Sequence, residues 1–373
     1  MTQFAPLDPG AFPKAVEILN RSVAQRAFPG AVLAVGHPSR LAILPVGKLS
    51  YAETAAPTTA ETIYDIASLT KVVATTTMAM ILADRGRLPL DRPVAAFLPD
   101  FVPPYDNAED PLWAARGEVT VRHLLAHTSG LPAYEKFFLR ARRREHVLEE
   151  AVALPLEEPP GARTAYSDVG FILLGEILER VAREPLDTFS QREIFEPLNM
   201  RSTGFNPPAE LRSRIAPTEQ DDVFRKRLLC GEVEDENAWV MGGVAGHAGL
   251  FSTVGDLAAF CQWMLNQGAV GGKQLIPAAT IREFTTACPA KQGAPRGLGW
   301  DKPSEPPSSG RHFSAASYGH LGYTGTSMWI DPERQLFVVL LTNRIHPTRA
   351  NDAIHAIRPA VHDAAVEELP PSQ

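Results

Sequence analysis

Residues 66–71 of the chain have the sequence Ile-Ala-Ser-Leu-Thr-Lys, and a largely apolar stretch follows them as far as Gly86. This pattern predicts a long helix that begins at Ser68. Side chains three residues apart lie on one face of a helix, about one turn apart, so Ser68 and Lys71 are expected to meet. The field of a helix N-terminus disfavours an ammonium and burial acts in the same direction, so Lys71 is predicted to be a neutral base near pH 7. A serine and a lysine at this spacing form the S-x-x-K pattern of a serine nucleophile with an adjacent base.

The same residues also allow a plainer interpretation, in which Ser68 caps the helix and Lys71 is a solvated charge. Two features of the sequence favour a catalytic pair. Every other lysine lacks a serine three residues before it, and Lys71 lies between Leu69 and the apolar run 72–74, which is an unusual place for a charge that faces water. The Ser68 N–H is also placed to hold an oxyanion.

The bulk properties are those of an ordinary globular protein. The chain has 373 residues, of which 45% are hydrophobic and 21% charged, and its net charge is −7. With no long basic block, neither nucleic acid nor an anionic membrane is predicted as a partner. No stretch reaches the ~18 apolar residues that a membrane span needs, and no signal peptide is evident at the N-terminus.

Three widely spaced cysteines, Cys230, Cys261 and Cys288, form no C-x-x-C pair. That usage predicts a reducing compartment, without disulfides or a zinc-thiolate site, and a cytoplasmic location. No G-x-G-x-x-G or P-loop motif occurs. His123 and His127 lack the glutamate of an H-E-x-x-H motif, so no cofactor and no metal are expected.

Hydrophobic periodicity predicts helices and strands in a distinctive order. Strands at both ends of the chain enclose helices in the middle, so we expect an α/β domain of residues 1–78 and 270–373 and an inserted, mainly helical domain of residues 79–269. The predicted helices cover 12–27, 68–86, 119–127, 137–153, 169–183, 194–200, 253–264 and 351–365, and the predicted strands cover 31–35, 41–46, 318–330 and 335–342.

Five motifs occur along the chain in a fixed order. They are Ser68-Leu69-Thr70-Lys71, His127-Thr128-Ser129-Gly130-Leu131-Pro132, Tyr166-Ser167-Asp168, Ala245-Gly246-His247-Ala248-Gly249-Leu250-Phe251-Ser252-Thr253 and His320-Leu321-Gly322-Tyr323-Thr324-Gly325-Thr326. Together they resemble the serine β-lactamase and penicillin-binding-protein superfamily, in particular its class C-like branch of esterases and peptidases. The resemblance implies an α/β (α+β) fold, in which an antiparallel sheet is flanked by the N- and C-terminal helices, an all-α domain is inserted, and the active site lies between the two.

The resemblance also implies roles for residues outside the Ser-Lys pair. Tyr166 takes the place of the family's second-motif tyrosine, which relays the serine proton and returns it to the leaving group. The Tyr323 N–H would be the second oxyanion donor, and Gly322 would let substrate approach the strand closely. Tyr105-Asp106-Asn107 also matches the family's Y-x-N pattern, but its position among prolines favours a surface loop. The plainer interpretation of Tyr166 is a buried tyrosine with a hydrogen bond.

Two positions depart from the family's pattern. Asp168 replaces an asparagine whose amide would bind a substrate carbonyl, and His320 replaces a lysine with a side chain that is mostly neutral at pH 7. Both changes weaken the recognition of a substrate carboxylate, which β-lactams and D-alanyl peptides carry. Arg344, just after the last strand, either restores a cation for substrate binding or is a surface arginine.

The function that these residues favour is a serine hydrolase that works through an acyl-enzyme. Carboxylic esters are the favoured substrates, so the expected partner is a small-molecule ester or amide. The alternatives are a D-amino-acid peptidase, an amidase or a weak β-lactamase of the same fold, acyl transfer to an acceptor other than water, and a slowly acylating penicillin-binding or sensor-type protein. The sequence predicts no oligomeric state.

Overall fold

A six-stranded sheet forms the centre of the computed structural model, which describes residues 4–102 and 112–370. In their order across the sheet, the strands are β1 Ala5–Pro6, β3 Arg40–Gly47, β2 Gly30–His37, β6 Leu336–Thr342, β5 Ser327–Asp331 and β4 Tyr318–Leu321. Neighbouring strands are antiparallel, except that β1 pairs parallel with β3. The predicted antiparallel sheet is confirmed, with a two-residue parallel strand added at one edge.

The two central strands, β2 and β6, are buried along their whole length. Successive side chains of a strand point to opposite faces, so Val32 and Ala34 belong to one core while Leu33 and Val35 belong to the other. Because helices cover both faces, these strands are continuous apolar runs without alternating polar residues.

The described part of the chain contains eleven α-helices. The terminal helices, α1 (Pro13–Ala24) and α11 (Ile354–Glu368), pack against each other over one face, where Leu19 and Val361 share a core. Helix α9 (Val254–Leu265) packs on the opposite face. The helices are α1 Pro13–Ala24, α2 Thr77–Asp84, α3 Val121–Leu125, α4 Arg144–Ala153, α5 Asp168–Ala182, α6 Leu186–Ser190, α7 Glu196–Leu198, α8 Glu236–Val240, α9 Val254–Leu265, α10 Ala278–Thr285 and α11 Ile354–Glu368.

Helices α2 to α7 form most of a second, mainly helical region, in which α5 contacts α2, α3, α4 and α6. The division at residues 79 and 269 stays a prediction, although α9 lies directly on the sheet. Short strand pairs complete the fold: Tyr64–Asp65 and Gly204–Phe205 flank Leu250–Ser252, Gln220–Asp221 pairs with Arg227–Leu228, and Ala269–Val270 pairs with Lys273–Gln274.

The helix predicted over 68–86 is built from three pieces. A 3-10 turn (Ala67–Leu69) leads into a π-helical segment (Lys71–Thr76), and regular α-helix begins only at Thr77. The Thr77 hydroxyl donates to the carbonyl of Val72, five residues earlier, at 2.9 Å. Threonine hydroxyls compete in this way with the regular helical ladder, which a count of apolar residues does not reveal.

Two other predicted elements are interrupted in the structure. The strand predicted over 318–330 is a hairpin of β4 and β5 with a turn at residues 322–326, and the helix predicted over 137–153 is a short 3-10 turn (Phe137–Leu139) followed by α4. In the first case glycines at 322 and 325 supply the turn.

Within the residues that the structure describes, no helix is both long and apolar enough to cross a membrane. All three cysteines are free thiols.

His362, on α11, is a buried polar side chain at the back of the sheet. Its Nε2 lies 2.9 Å from Ser327 Oγ and its Nδ1 lies 3.1 Å from the carbonyl of Ser309. Burial lowers the pKa of His362 to about 3. A histidine whose pKa is depressed by folding stabilises the protein above its unfolded pKa, and this contribution is lost as the pH falls below about 6.5.

We therefore expect His362 to make the protein sensitive to mild acid. When the pH is lowered from 7.5 to 5.5, His362 becomes protonated in the unfolded chain but stays neutral in the folded protein. This difference removes about 1.4 kcal/mol from the free energy of unfolding. Denaturant unfolding of the wild type and of His362→Gln at the two pH values measures the difference. The same pH dependence in both proteins would contradict the assignment.

Candidate active site

Ser68, Lys71 and Tyr166 meet in the structure. Lys71 Nζ lies 3.0 Å from Ser68 Oγ, and Tyr166 Oη donates to the same oxygen at 2.8 Å. Lys71 is fully buried, whereas Ser68 and Tyr166 are only partly buried. The spacing of three residues therefore brings the serine and lysine side chains together despite the irregular helix. Their catalytic roles stay a prediction.

Lys71 is held as a cation by groups on two other segments. Its Nζ lies 2.6 Å from Asp168 Oδ1 and donates to the carbonyl of His247 at 2.9 Å. Burial lowers the pKa of Lys71, but the charge of Asp168 together with Tyr166 outweighs burial, and the pKa lies above its usual value. This contradicts the neutral lysine predicted from the sequence. The prediction failed because the partner, Asp168, is 97 residues away along the chain.

The backbone before Ser68 is strained and firmly held. Ala67 has φ +47°, a conformation that costs a residue with a side chain about 1–3 kcal/mol. Asp65 Oδ1 accepts from the Ala67 N–H at 2.8 Å, and Asp65 Oδ2 accepts from the Glu234 N–H at 2.7 Å. The Thr326 hydroxyl donates to the carbonyl of Ile66 at 3.2 Å. These contacts fix the turn that carries Ser68.

Tyr166 is positioned by the segment that begins α5. Ser167 caps this helix, since its hydroxyl accepts from the Gly170 N–H at 3.0 Å, and its own N–H donates to His127 Nδ1 at 3.0 Å. The centroid of the His127 ring also lies 4.6 Å from the centroid of the Tyr166 ring. Burial raises the pKa of Tyr166, and the Lys71 ammonium opposes this shift only in part. From the sequence, His127 was the first residue of a family motif and a rejected metal ligand, and its contact with the Tyr166 segment was not predicted.

The glycine-rich segment before β-strand Leu250–Ser252 brings a carbonyl to Lys71. A Cβ on Gly246 would lie 2.2 Å from the carbonyl oxygen of Phe171 on α5, so only glycine permits this approach. The Thr75 hydroxyl donates to the Gly246 carbonyl at 2.7 Å. The residue after Gly246 is held by its side chain, since His247 Nε2 lies 2.8 Å from Asp235 Oδ1.

His320, on β4, faces Tyr166 with a distance of 5.8 Å between ring centroids. The side chain is buried, and its Nδ1 lies 2.8 Å from the carbonyl of Leu321. Burial, with the charges of Arg296 and Lys71, holds the pKa of His320 well below its usual value. The expected neutral histidine agrees with this environment.

Gly322 and Tyr323 follow directly on β4. A Cβ on Gly322 would lie 2.0 Å from Thr326 Oγ1 and 2.7 Å from the Ile66 carbonyl oxygen, so the structure explains this glycine by packing within the protein. Its predicted role toward substrate stays a prediction. Tyr323 is exposed, and among the described residues neither its N–H nor that of Ser68 donates to a backbone carbonyl. Both N–H groups are therefore available to a ligand.

Arg344 lies under Tyr323 and is only 6% exposed. Its Nε donates to the Tyr323 carbonyl at 2.9 Å, and its Nη1 donates to the Asn351 carbonyl at 2.7 Å. Its guanidinium carbon lies 4.6 Å from the centroid of the Tyr323 ring. Substrate binding by Arg344 stays a prediction, and these contacts favour a role in positioning the loop.

Arg296 is a cation near the site that the sequence did not indicate, because no motif surrounds it. Its guanidinium carbon lies 5.5 Å from the centroid of the Tyr166 ring, and its Nη1 lies 3.2 Å from Asp301 Oδ1. Its Nε is buried and has no hydrogen-bond partner among the described residues. The rival motif Tyr105-Asp106-Asn107 lies outside the described residues.

The family profile described as Beta-lactamase matches residues 15–362. The chain belongs to the beta-lactamase family. It is 38% identical over 313 residues to a protein of Escherichia coli strain K12 named "Putative D-alanyl-D-alanine carboxypeptidase", an alignment that covers 77% of this chain and 70% of that protein. The fold and the serine hydrolase class expected from the motifs are thereby confirmed.

Solved structures of beta-lactamase fold show the same architecture. A penicillin-binding protein homologue from Caulobacter crescentus superposes with a TM-score of 0.76 at 21% identity, covering 96% of this chain and 98% of the other. EstCE1, described as a hydrolase with promiscuous acyltransferase activity, superposes with a TM-score of 0.75 at 22% identity, covering 95% and 99%. At these identities the likeness concerns the fold alone.

Proposed function

We propose that the protein hydrolyses carboxylic esters through an acyl-enzyme on Ser68. One observation carries the proposal: the partly exposed Ser68 hydroxyl contacts both a buried lysine, at 3.0 Å, and a tyrosine, at 2.8 Å. A nucleophilic serine needs a base within hydrogen-bond reach, and the base needs a third group that orients it. Asp168 and the His247 carbonyl supply that orientation for Lys71.

The proposed reaction has two steps. Ser68 Oγ attacks the acyl carbon, its proton passes to the Lys71–Tyr166 pair, and the N–H groups of Ser68 and Tyr323 stabilise the oxyanion. The C–O bond of the ester then breaks, and Tyr166 returns the proton to the leaving alcohol. Water attacks the acyl-enzyme in the same manner and releases the acid and free Ser68.

The charges around Ser68 support an ester substrate. The Lys71 cation is paired with Asp168, and His320 is neutral at the position where the family's third motif carries lysine. Asp168 and His320 would therefore provide little electrostatic attraction for a substrate carboxylate. A neutral ester does not need such attraction. The acyltransferase activity named for EstCE1 supports acyl chemistry on this fold.

Initial rates with a p-nitrophenyl ester, nitrocefin and an acyl-D-alanyl-D-alanine peptide test the proposal. We expect the ester to have the highest kcat/KM of the three. Turnover of nitrocefin far above that of the ester would contradict the argument from the charges of Asp168 and His320.

A second candidate function, hydrolysis of a D-alanyl peptide, is favoured by Arg296. This partly buried guanidinium lies beside Tyr166, and its Nε has no hydrogen-bond partner in the part of the chain that the structure describes, so it offers a carboxylate the cation that His320 does not. The name of the Escherichia coli relative points to the same chemistry. Asp301 already neutralises part of this charge, which is why esters remain the first proposal.

Arg296→Met separates the two candidates. If Arg296 binds a carboxylate, its loss raises KM for acyl-D-alanyl-D-alanine by about 10- to 100-fold, the value of a charge-assisted hydrogen bond. The methyl ester of the same peptide is the matched substrate, and its KM should change much less. Equal changes for both substrates would exclude carboxylate recognition by Arg296.

A further inference from the structure

Arg358, on α11, is a buried cation behind the hairpin of β4 and β5. It is 4% exposed, and its Nη2 donates to the carbonyl of Thr326 at 3.0 Å and to the carbonyl of Gly322. Among the described residues, no carboxylate forms an ion pair with it. The guanidinium therefore donates its hydrogen bonds to backbone carbonyls of the turn that contains Tyr323.

The Gly322 carbonyl and the Tyr323 N–H belong to one peptide unit. The bond between these residues is trans, so the carbonyl and the N–H point in opposite directions in one plane. Arg358 holds the carbonyl on the side of α11. The N–H consequently points away from α11. A Cβ on Gly322 would lie 2.7 Å from the carbonyl oxygen of Ile66, two residues before Ser68, so this peptide unit lies close to the segment that carries Ser68.

From this geometry we propose that Arg358 is a positioning residue for the oxyanion hole, which orients and polarises the peptide that carries the Tyr323 N–H. The proposal rests on the proposed function, in which that N–H stabilises the oxyanion. A cation bound to the carbonyl of a peptide withdraws electrons from the unit and makes its N–H a stronger donor, as hydrogen bonds in a chain polarise one another. The Gly325 N–H also donates to the Gly322 carbonyl, at 3.1 Å, but it carries no charge.

The environment of Arg358 argues against a purely stabilising role. Burial, with the nearby Arg344 guanidinium, lowers the pKa of Arg358 to about 9. A buried charge without a carboxylate is costly, and a well-packed apolar side chain is often at least as stable in such a place. The turn already has the Gly322 N–H to Thr326 carbonyl bond at 2.7 Å. What the cation adds is its action on the peptide unit that carries the Tyr323 N–H.

Arg358→Met removes the donor and keeps much of the volume. Complete removal of one oxyanion donor costs about 100- to 1,000-fold in kcat, so weakening one should lower kcat for a p-nitrophenyl ester by about 10- to 100-fold. Because the effect belongs to the transition state, KM should change by less than about threefold, and Ki for an alkylboronic acid should rise by the same factor as kcat falls. Arg358→Lys, which keeps the cation, should recover part of both losses.

His362→Gln is the matched control, since His362 lies one turn further along α11 and contacts Ser327 rather than the turn. It should leave kcat and the boronic acid Ki near the wild-type values. If Arg358→Met does not fold, Arg358→Gln is measured in its place. A folded neutral variant with wild-type kcat and boronic acid affinity would overturn the proposal, as would losses in kcat that the His362 variant reproduces. Failure of the wild type to hydrolyse any ester would instead overturn the proposed function.

Discussion

Replacing Ser68 with alanine should abolish covalent labelling by a fluorophosphonate and lower ester hydrolysis by at least about 1,000-fold. The hydroxyl oxygen is the one atom that both Lys71 Nζ and Tyr166 Oη contact, at 3.0 and 2.8 Å. Without it no acyl-enzyme can form, and only binding and the oxyanion hole remain, as in serine hydrolases that have lost their nucleophile. Intact-protein mass spectrometry measures the adduct, and a p-nitrophenyl ester measures the rate.

Ser190→Ala is a suitable control for this experiment. Ser190, on α6, is a buried serine whose hydroxyl has no hydrogen-bond partner among the described residues. Its replacement should leave both the adduct and the rate unchanged. An adduct of equal yield on Ser68→Ala would show that another residue reacts, and no adduct on the wild type would favour a protein that binds without acylation.

Replacing Asp168 with asparagine should move the acid limb of the kcat/KM profile to lower pH by about 1–3 units, the usual effect of removing one adjacent opposite charge. The Lys71–Tyr166 pair must give up one proton before it can accept that of Ser68, and the two groups titrate as a unit. Asp168, at 2.6 Å from Lys71 Nζ, raises the pKa of Lys71 and burial raises that of Tyr166, so the wild-type rate should still rise above pH 7.

The sign of the Asp168 shift follows from the charge. An amide in place of the carboxylate no longer stabilises the protonated pair, so the active, deprotonated form is populated at lower pH. Glu176→Gln is the matched control, because Glu176 is a carboxylate on the same helix that pairs with Arg144 and Arg180 instead. An unchanged limb, or one that moves to higher pH, would contradict the function assigned to the ion pair.

Local sequence was sufficient to predict those features that depend on residues of a single segment. The apolar runs predicted β2 and β6, because central strands of a covered sheet are apolar on both faces, and a shorter apolar run predicted the partly exposed β3. The offset of three residues predicted the meeting of Ser68 and Lys71, because that offset keeps two side chains on one face even where the helix is irregular. The turn within 318–330 was missed although Gly322 and Gly325 are turn residues, because the segments on either side of them were taken as one strand.

Interactions between distant segments could not be predicted in this way. The neutral state assigned to Lys71 was wrong because Asp168, from the start of α5, is brought to within 2.6 Å of it only by folding. Arg296 and Arg358 carry no motif at all, and their places beside Tyr166 and behind Gly322 result from loop and helix packing.

By itself the sequence determined the family, the candidate nucleophile with its lysine and tyrosine, and the order of elements that builds the sheet, because these depend on residue types at short spacings. The tertiary structure alone decided the charge of the lysine, the place of Arg296 beside Tyr166 and the contacts of Arg358 with the Gly322–Tyr323 peptide. A pKa and the direction of an N–H depend on which charges and carbonyls lie within a few ångströms, and those neighbours come from segments as far apart as residues 68, 168 and 358.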